Sequence, residues 1–589
     1  MLKIKLAAAT TLLLAFGIVA RPAAAEVLDL VPADSMVALK VASLSKTSDK
    51  VAKLAKQYGI DAFLPKAQNP LQSFKQAIHA DKGFNDAGEM ALVFASPKAY
   101  GVPPDQSVLI LLPVSNYNDF ISNYADAKTD GGITEATIDE NEKKPTYIAD
   151  WGGGYAALSP TKALVAKPSD TLKIKGLAAR EAGKQDFLVY ANFAKISPEA
   201  LPKLQKLSGK ADAAIDQDAG IDPKYKPLAK VAVAQVLEYA RRYLDNVDSA
   251  TFGANIDDAG INTTLLSDFK PDSYFGGIAA SLKGSEGPLT NGLPATKYFA
   301  FAGGTIDSAP IIKVVDDFIQ PIVPELNKVV DPATVTKLLA SFHASQSAIK
   351  GFAMGMPAPA KVGQEALIQQ FIVYRNGGDA TKTLFDQGSD VAQQAVADMK
   401  VPEGKPQPTF EKKAADKNIE GVTFDSFTFA MKPAADDPQG PQMTQMMNMM
   451  YGGDGPQYHY GVLDKDFVMA VSMPDATIGN FLKGVKANDD AVGKLDQVKV
   501  VAAELPKSRL IEYYVSIDEI VNTGVQTAGQ FGFPVQVQLP PELPPFGFTL
   551  GTEGNAFRID SHIPTTTVQA LISAGLQVFG QFNGGGGNL

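Results

Sequence analysis

The segment from residue 438 to residue 460, PQGPQMTQMMNMMYGGDGPQYHY, carries the residue types of this chain that are best suited to bind a metal. It contains five methionines, and His459 follows them closely. Thioether sulfur is a soft ligand that selects Cu(I), and imidazole nitrogen is a further donor for copper. The segment therefore permits a copper site formed by Met443, Met446, Met447 and His459.

The spacing of the methionines supports two other interpretations. Four of them follow an i, i+3, i+4, i+7 pattern: Met443, Met446, Met447 and Met450. This pattern predicts one apolar face of a short helix, which Gly452 and Gly453 would end. The face either packs on its own domain, which is the favoured interpretation, or makes an adaptable contact with a hydrophobic ligand or a partner protein, together with Tyr451. Copper binding ranks third, and no cofactor is predicted.

Elsewhere the chain lacks the convergent residues of a known catalytic motif. The four histidines stand singly, at positions 79, 343, 459 and 562, and there is no nucleophile elbow, phosphate loop or dinucleotide fingerprint. An S-x-x-K match at residues 43–46 lacks its partner motifs, and the acidic run at 216–222 lacks the spacing of a calcium loop. We therefore predict a protein that is not an enzyme and has no catalytic residue. A hydrolase whose carboxylates converge only in the fold is the alternative.

The single tryptophan, Trp151, lies in the glycine-rich sequence DWGGGY. An indole ring beside glycines can serve as a stacking platform for a sugar, or it can cover the core at the end of a hairpin. Core packing is the favoured interpretation.

The first 25 residues have the pattern of a secretory signal peptide. Lys3 and Lys5 precede an apolar run at residues 6–20, and Ala23 and Ala25 are the small residues that a signal peptidase requires. We therefore expect an exported protein, periplasmic or extracellular, and no later run is long enough to predict a transmembrane segment. The chain has no cysteine and hence no disulfide.

The net charge is acidic. It is −10 for the whole chain, and removal of three basic residues with residues 1–25 makes it −13. An acidic chain without a basic cluster argues against nucleic acid as a partner.

The order of similar segments predicts that the chain is an internal duplication. VPADSMVAL at residues 31–39 returns as LPATKYFAF at 293–301, and each copy leads into an alternating strand and an amphipathic helix. Five further segments of the first half have counterparts in the same order: 89–97 with 352–359, 108–124 with 371–385, 155–166 with 460–471, 188–196 with 512–520, and 252–267 with 546–561. The pair 155–166 and 460–471 is predicted to form a β-hairpin in each half.

These segments predict an α+β fold of two tandem duplicated domains, each a mostly antiparallel sheet with helices packed on one face. We place the first repeat at residues 26–285, a linker at 286–292 and the second repeat at 293–580. The second repeat contains a Met-rich insertion at 433–456, and a Gly-rich tail at 581–589 is predicted to be disordered.

The motifs VPADSMVALKVASL, VYANFAKI and FGANIDDAGINTTLL resemble those of a group of large exported bacterial proteins known only as domains of unknown function. The repeats of that group begin near an "lPadt" motif, contain "vYvnl" strands and close with Gly hairpins. The resemblance implies a fold type and export, and it implies no catalytic residue.

The sequence thus predicts an exported soluble envelope protein, most simply a non-enzymatic binding or scaffold module. Its partner would be an envelope protein or a hydrophobic ligand. The principal alternative is a periplasmic carrier of a lipid, because a curved antiparallel sheet under helices can hold an acyl chain.

Overall fold

The computed structural model describes residues 27–61, 63–138, 144–399, 401, 405–434, 438–533 and 537–584. The predicted signal peptide lies outside these ranges, as do residues 585–589 of the predicted tail. Residues 581–584 belong to the last helix, and the disorder of the tail stays a prediction.

The chain forms an α+β fold with a large antiparallel sheet. The strands are β1 (Ser35–Val41), β2 (Met90–Ala95), β3 (Val108–Pro113), β4 (Lys128–Asp130), β5 (Ile133–Thr137), β6 (Pro145–Gly152), β7 (Tyr155–Ser159), β8 (Phe187–Asn192), β9 (Val247–Ile256), β10 (Gly260–Phe269), β11 (Tyr298–Thr305), β12 (Gly351–Pro357), β13 (Gln370–Arg375), β14 (Gln407–Ile419), β15 (Val422–Lys432), β16 (Gln457–Leu463), β17 (Asp466–Val471), β18 (Ile511–Val515), β19 (Phe546–Glu553) and β20 (Ala556–Pro564).

The helices are α1 (Leu44–Gln57), α2 (Pro70–Ala77), α3 (Pro97–Tyr100), α4 (Tyr117–Ile121), α5 (Gly176–Ala182), α6 (Phe193–Gln217), α7 (Lys226–Asn246), α8 (Tyr274–Ser281), α9 (Ser308–Ile319), α10 (Val323–Leu326), α11 (Pro332–Ala348), α12 (Gly378–Asp398), α13 (Gly440–Tyr451), α14 (Asp475–Ala487), α15 (Asp496–Glu504), α16 (Ile517–Gln530) and α17 (Thr565–Gly584).

The chain divides into two compact units, each built from three stretches of sequence. Unit 1 comprises residues 1–207, 239–279 and 553–573, and unit 2 comprises residues 208–238, 280–552 and 574–589. Both units are discontinuous, so the contiguous repeats at 26–285 and 293–580 stay a prediction about sequence duplication.

The sheet of unit 1 has the strand order β4-β5-β6-β7-β3-β2-β1-β8-β9-β10-β20, with all neighbours antiparallel. Each face packs against helices at one part of the sheet. Helix α1 contributes Leu44 and Val51 to a core on one face, and α5 contributes Ala178 and Ala182 to a core on the other.

The sheet of unit 2 has the order β14-β15-β16-β17-β13-β12-β11-β18-β19, again antiparallel. Phe481 of α14 packs on Phe371 on one face, whereas Phe385 of α12 packs on Phe467 on the other. The prediction of helices on one face only is therefore wrong. Strands such as β17, whose residues 467–471 are all buried, are apolar on both sides and require a cover on both.

Most of the duplicated segments form the predicted elements. Residues 108–124 and 371–385 run from a strand into a helix, and residues 252–267 form the hairpin β9–β10. The predicted hairpin at 155–166 is wrong, because β7 ends at Ser159 and a single 3-10 turn follows. The hairpin is instead β6–β7, whose turn uses Gly152, Gly153 and Gly154, all with positive φ.

Trp151 belongs to that hairpin and is buried in the core of unit 1. Its indole N–H donates to the carbonyl oxygen of Val165 at 2.7 Å. The core interpretation of Trp151 is thus confirmed.

Candidate functional site

One face of the unit 1 sheet carries a row of large apolar side chains that crosses five adjacent strands. The register aligns one residue of each of β1, β8, β9, β10 and β20: Leu39, Val189, Phe252, Leu265 and Ile559. The exposed fraction is 39% for Phe252, 41% for Leu265 and 43% for Ile559. Because isolated apolar side chains are common on surfaces but aligned neighbours are not, this row is the leading candidate for a binding surface.

The rows on either side extend the apolar surface. One flanking row contains Val37, Ala191, Ala250, Ser267 and Phe557. The other contains Val41, Phe187, Ala254, Thr263 and Ser561. We call these fifteen residues the apolar floor. None of them is titratable, and two of the three hydroxyls, those of Thr263 and Ser561, bond to each other at 2.7 Å.

Apolar clusters border the floor at both strand ends. At one end, Leu54 of α1 and Tyr58, which follows that helix directly, pack with Ile256. The partly buried Val568 and Ile572 of α17 pack against them. At the other end, Tyr243 of α7 and Phe275 of α8 pack around Phe269, whose ring also contacts Phe557. The floor therefore lies between two walls, and ten-residue strands such as β9 and β10 span about 33 Å.

The opposite face of the same strands holds a buried ionic cluster. Glu181 of α5 accepts from Arg558 of β20 at 2.9 Å and from Gln185 at 2.8 Å. Arg558 also pairs with Asp560, and Thr264 of β10 donates to Asp560 at 2.6 Å. These bonds hold β20 against α5 and β10, and they position the strand that contributes Ile559 to the floor.

The direction in which the pKa of Glu181 is shifted agrees with this network. Burial alone would raise the pKa of Glu181, but hydrogen bonds from Gln185 and Arg558 and the charge of Arg558 outweigh it, and the pKa is lowered. The carboxylate of Glu181 is therefore held in its charged form.

Residues 440–451 of the Met-rich segment form the helix α13, which Gly452 caps in the left-handed conformation. Backbone N–H groups of Leu367 and Ile368 donate to the carbonyl oxygens of Met449 and Met450, which anchors the end of the helix. The methionine side chains are not fully buried, and Met446 is 49% exposed. The helical interpretation of the spacing is thus confirmed, while partner contact through these residues and Tyr451 stays a prediction.

His459, the histidine of the copper hypothesis, is a buried residue of β16. Its Nδ1 lies 3.8 Å from Asp416 and has no hydrogen-bond partner among the described residues. Burial lowers its pKa, which keeps the ring neutral. The methionines of that hypothesis, Met443, Met446 and Met447, instead lie on the partly exposed helix α13.

We expect a Cu(I) titration under reducing conditions to give binding no tighter than about micromolar. Replacement of all five methionines by leucine should leave that weak binding unchanged, because leucine preserves the apolar face of α13 and removes only the thioethers. Binding tighter than micromolar that the five substitutions abolish would instead establish a copper site.

The hydrolase hypothesis requires carboxylates that converge in one cavity. A cavity of ≈ 310 Å³ in unit 2 is lined by Asp518, Glu519 and Glu542. Asp518 accepts the N–H of Leu543 at 3.2 Å, and Glu519 pairs with Lys297 at 2.5 Å. Burial raises the pKa of Asp518. Two of the three carboxylates thus have structural partners of their own.

The two other partial motifs have structural explanations. Ser43 is the residue that precedes α1, and Lys46 lies exposed in the first turn of that helix. In the acidic run, Asp218 and Asp222 accept backbone N–H groups, and Asp216 pairs with Lys230. Within the described ranges, no group of three or more His, Cys, Asp or Glu side chains is arranged to hold a metal ion.

Sequence reasoning identified the alternating pattern of β1 but missed the floor. The floor exists only through strand pairing, and the pairing of β10 with β20 joins residues about 300 positions apart. The local signal that could have indicated it is the apolar residue at the same place in each matched hairpin, Leu265 in one and Ile559 in the other.

Comparison with known proteins found no matching family model, curated protein or solved structure. Among the helices of the described residues, none is long and apolar enough to cross a bilayer.

Proposed function

We propose that this protein is exported to the cell envelope and binds the acyl chain of a lipid on the apolar floor of unit 1. The observation that carries the proposal is the row of Phe252, Leu265 and Ile559, which are exposed side by side on three paired strands. Export rests on the predicted signal peptide, and the absence of a titratable side chain from the floor favours a hydrocarbon over a polar ligand.

The dimensions and energetics of the floor suit an acyl chain. An extended C16 chain is about 20 Å long, and five strands cover about 19 Å from the first to the last at about 4.8 Å each. Burial of the exposed part of each of the three central side chains contributes about 1 kcal/mol. Such a gain supports reversible binding, which a carrier needs.

The second candidate is a scaffold that binds an envelope protein, and its support is the partly exposed methionine face of α13, on which Met446 is 49% exposed. The two candidates use different surfaces, in different units of the chain. Substitutions on the floor therefore affect lipid binding alone, and substitutions on α13 affect only the scaffold function.

We also propose that the two halves arose by duplication and that the chain is related to the domain-of-unknown-function group it resembles. Two observations support the duplication. Subtraction of ten from each strand number of unit 2 gives the strand order of unit 1 from β4 to β9. In addition, Leu265 pairs directly with Ile559, the two positions that the matched hairpins equate.

Binding of the fluorescent fatty acid cis-parinaric acid to the protein tests the lipid proposal. We expect the purified protein to bind this probe and Leu265→Gln to weaken binding about tenfold, because a buried amide without a partner opposes the hydrocarbon. The matched control is Val500→Gln. Val500 belongs to unit 2, its side chain is 57% exposed, and it is not a residue of the floor. It should leave the probe affinity unchanged.

Native material provides an independent measurement. Organic extracts of the protein purified from its own envelope should contain lipid when analysed by mass spectrometry. Clean extracts, together with equal probe binding by Leu265→Gln and Val500→Gln, would rule out the acyl-chain proposal.

A further inference from the structure

Unit 2 contains a second cavity, a cleft of ≈ 480 Å³ at one end of its sheet. The cleft lies where β11 and β13 end and where β12 and β17 begin, and Thr305, Gly351, Arg375 and Asp466 line it. Its volume falls in the range of small-molecule sites, roughly 300 to 1,000 Å³. The apolar floor belongs to unit 1, so this cleft is a separate site and its ligand is independent of the lipid proposal.

A rigid pair of opposite charges forms one side of the cleft. Arg375 donates to Asp466 at 2.8 Å and to the carbonyl oxygen of Asn291 at 2.6 Å, and the N–H of Asn376 donates to Asp466 at 2.9 Å. The side chains of Arg375 and Asp466 are only 20% and 13% exposed. Because their positions are fixed before any ligand arrives, they would lose little conformational entropy on binding.

An aromatic ring lines the same cleft. The ring of Phe352 lies over Gly304, so that a Cβ atom at position 304 would come within 2.3 Å of it. Glycine at 304 therefore permits the ring to lie close to the sheet, and Phe352 also lines the cavity. An aromatic face beside fixed polar groups can stack on the apolar face of a ring-shaped ligand while its hydroxyls are bound at the edge.

The polar groups around the ring are mixed in character. The cleft is lined by three positively charged side chains, those of Lys350, Arg375 and Lys465, and by two negatively charged ones, those of Asp464 and Asp466. The amides of Asn291, Asn376 and Asn488 each combine donors with an acceptor. A hydroxyl is likewise both donor and acceptor, whereas a polyanion would need a clear excess of positive charge.

From these features we infer that the cleft of unit 2 is a saccharide-binding site, in which Phe352 stacks on a sugar ring and the Arg375–Asp466 pair binds its hydroxyls.

Isothermal titration with maltotriose and with tri-N-acetylchitotriose tests the inference, with inorganic phosphate as the anion probe. We expect at least one trisaccharide to bind with Kd on the order of 0.1–1 mM and phosphate not to compete. Phe352→Ala should weaken that binding at least about tenfold, and Phe352→Tyr should restore it because the aromatic face returns. Phe531→Ala is the matched control, since Phe531 is a half-exposed ring of unit 2 outside the cleft.

Three results would overturn the inference. They are the absence of heat with both trisaccharides at 10 mM, an equal effect of Phe352→Ala and Phe531→Ala, or competition by phosphate. Thermal unfolding of each variant shows whether a lost signal reflects lost folding, and Phe352→Tyr keeps the test decisive if Phe352→Ala does not fold. Binding of cis-parinaric acid to unit 1 should be the same in all these variants.

Discussion

Replacement of Glu181 by alanine is expected to lower the free energy of unfolding of unit 1 by about 1–3 kcal/mol. The side chain of Glu181 is 1% exposed. Its removal leaves Arg558 of β20 and Gln185 without the carboxylate of α5 to which both donate. Arg558 keeps its pair with Asp560, but its guanidinium loses one of the two carboxylates that offset the cost of its dehydration. The loss should therefore exceed that of any surface ion pair.

Trp151 provides a selective measurement of this loss. It is the only tryptophan of the chain and is buried in unit 1, so its fluorescence during urea unfolding reports on unit 1. Asp130→Ala, which removes an exposed ion pair with Lys162 in unit 1, is the control and should cost less than about 1 kcal/mol. An equal effect of the two substitutions would mean that the cluster does not stabilise the sheet.

The same cluster predicts a dependence on pH. The pKa of Glu181 in the folded protein lies below its ordinary value of 4.5, so its contribution to stability is fully present above that value. The contribution is lost as the pH falls through the lower, folded-state pKa. Glu181→Ala should show a flatter loss of stability below pH 4.5 than the unchanged protein does.

Local patterns in the sequence predicted much of the fold. The alternation at Val37, Leu39 and Val41 predicted β1, the methionine spacing predicted α13, and the ordered landmarks located strand-to-helix connections in both halves. In each case the signal lies within one element, where the period of the side chains follows from the backbone geometry. The error at residues 155–166 has the same origin, because an alternating run does not show on which side its partner strand lies.

The candidate site could not be predicted in this way, because its parts are distant in sequence. Leu39 and Ile559 belong to one row only because β1, β8, β9, β10 and β20 are neighbours in this order. The ion pair between Glu181 and Arg558 likewise joins positions 377 residues apart. The prediction of helices on one face failed for a related reason. A buried strand that is apolar on both sides is a continuous apolar run without alternation, and such a run alone cannot be distinguished from a segment of a buried helix.

A second ion pair in unit 1, between the partly buried Lys50 and the buried Asp186, should have the opposite effect on stability. The amino group of Lys50 lies 3.9 Å from the carboxylate of Asp186 and has no hydrogen-bond partner among the described residues. Burial raises the pKa of Asp186 to about 6 despite the attraction of Lys50, and burial lowers the pKa of Lys50 to about 8 despite the nearby carboxylates. Each charge thus costs more in dehydration than the pair gains in attraction.

The sign of the pH dependence follows from these values. Asp186 binds its proton more tightly in the folded protein, so stability falls as the pH rises from 3.8 to about 6. Lys50 releases its proton more readily when folded, so stability rises again as the pH increases from about 8 to 10.5. The combined penalty is greatest between about pH 6 and 8, where both groups are charged.

The double substitution Lys50→Met with Asp186→Asn removes both charges at nearly constant volume. At pH 7 we expect it to raise the free energy of unfolding by about 1–4 kcal/mol, measured by Trp151 fluorescence in urea. The variant should also lose the minimum in stability between about pH 6 and 8. The single substitution Lys50→Met is the control: it leaves the carboxylate of Asp186 without its nearest cation, and should be less stable than the double variant at pH 7. If the double variant were less stable than the unchanged protein at that pH, attraction within the pair would exceed the cost of its dehydration, and the pair would stabilise unit 1 as the Glu181 cluster does.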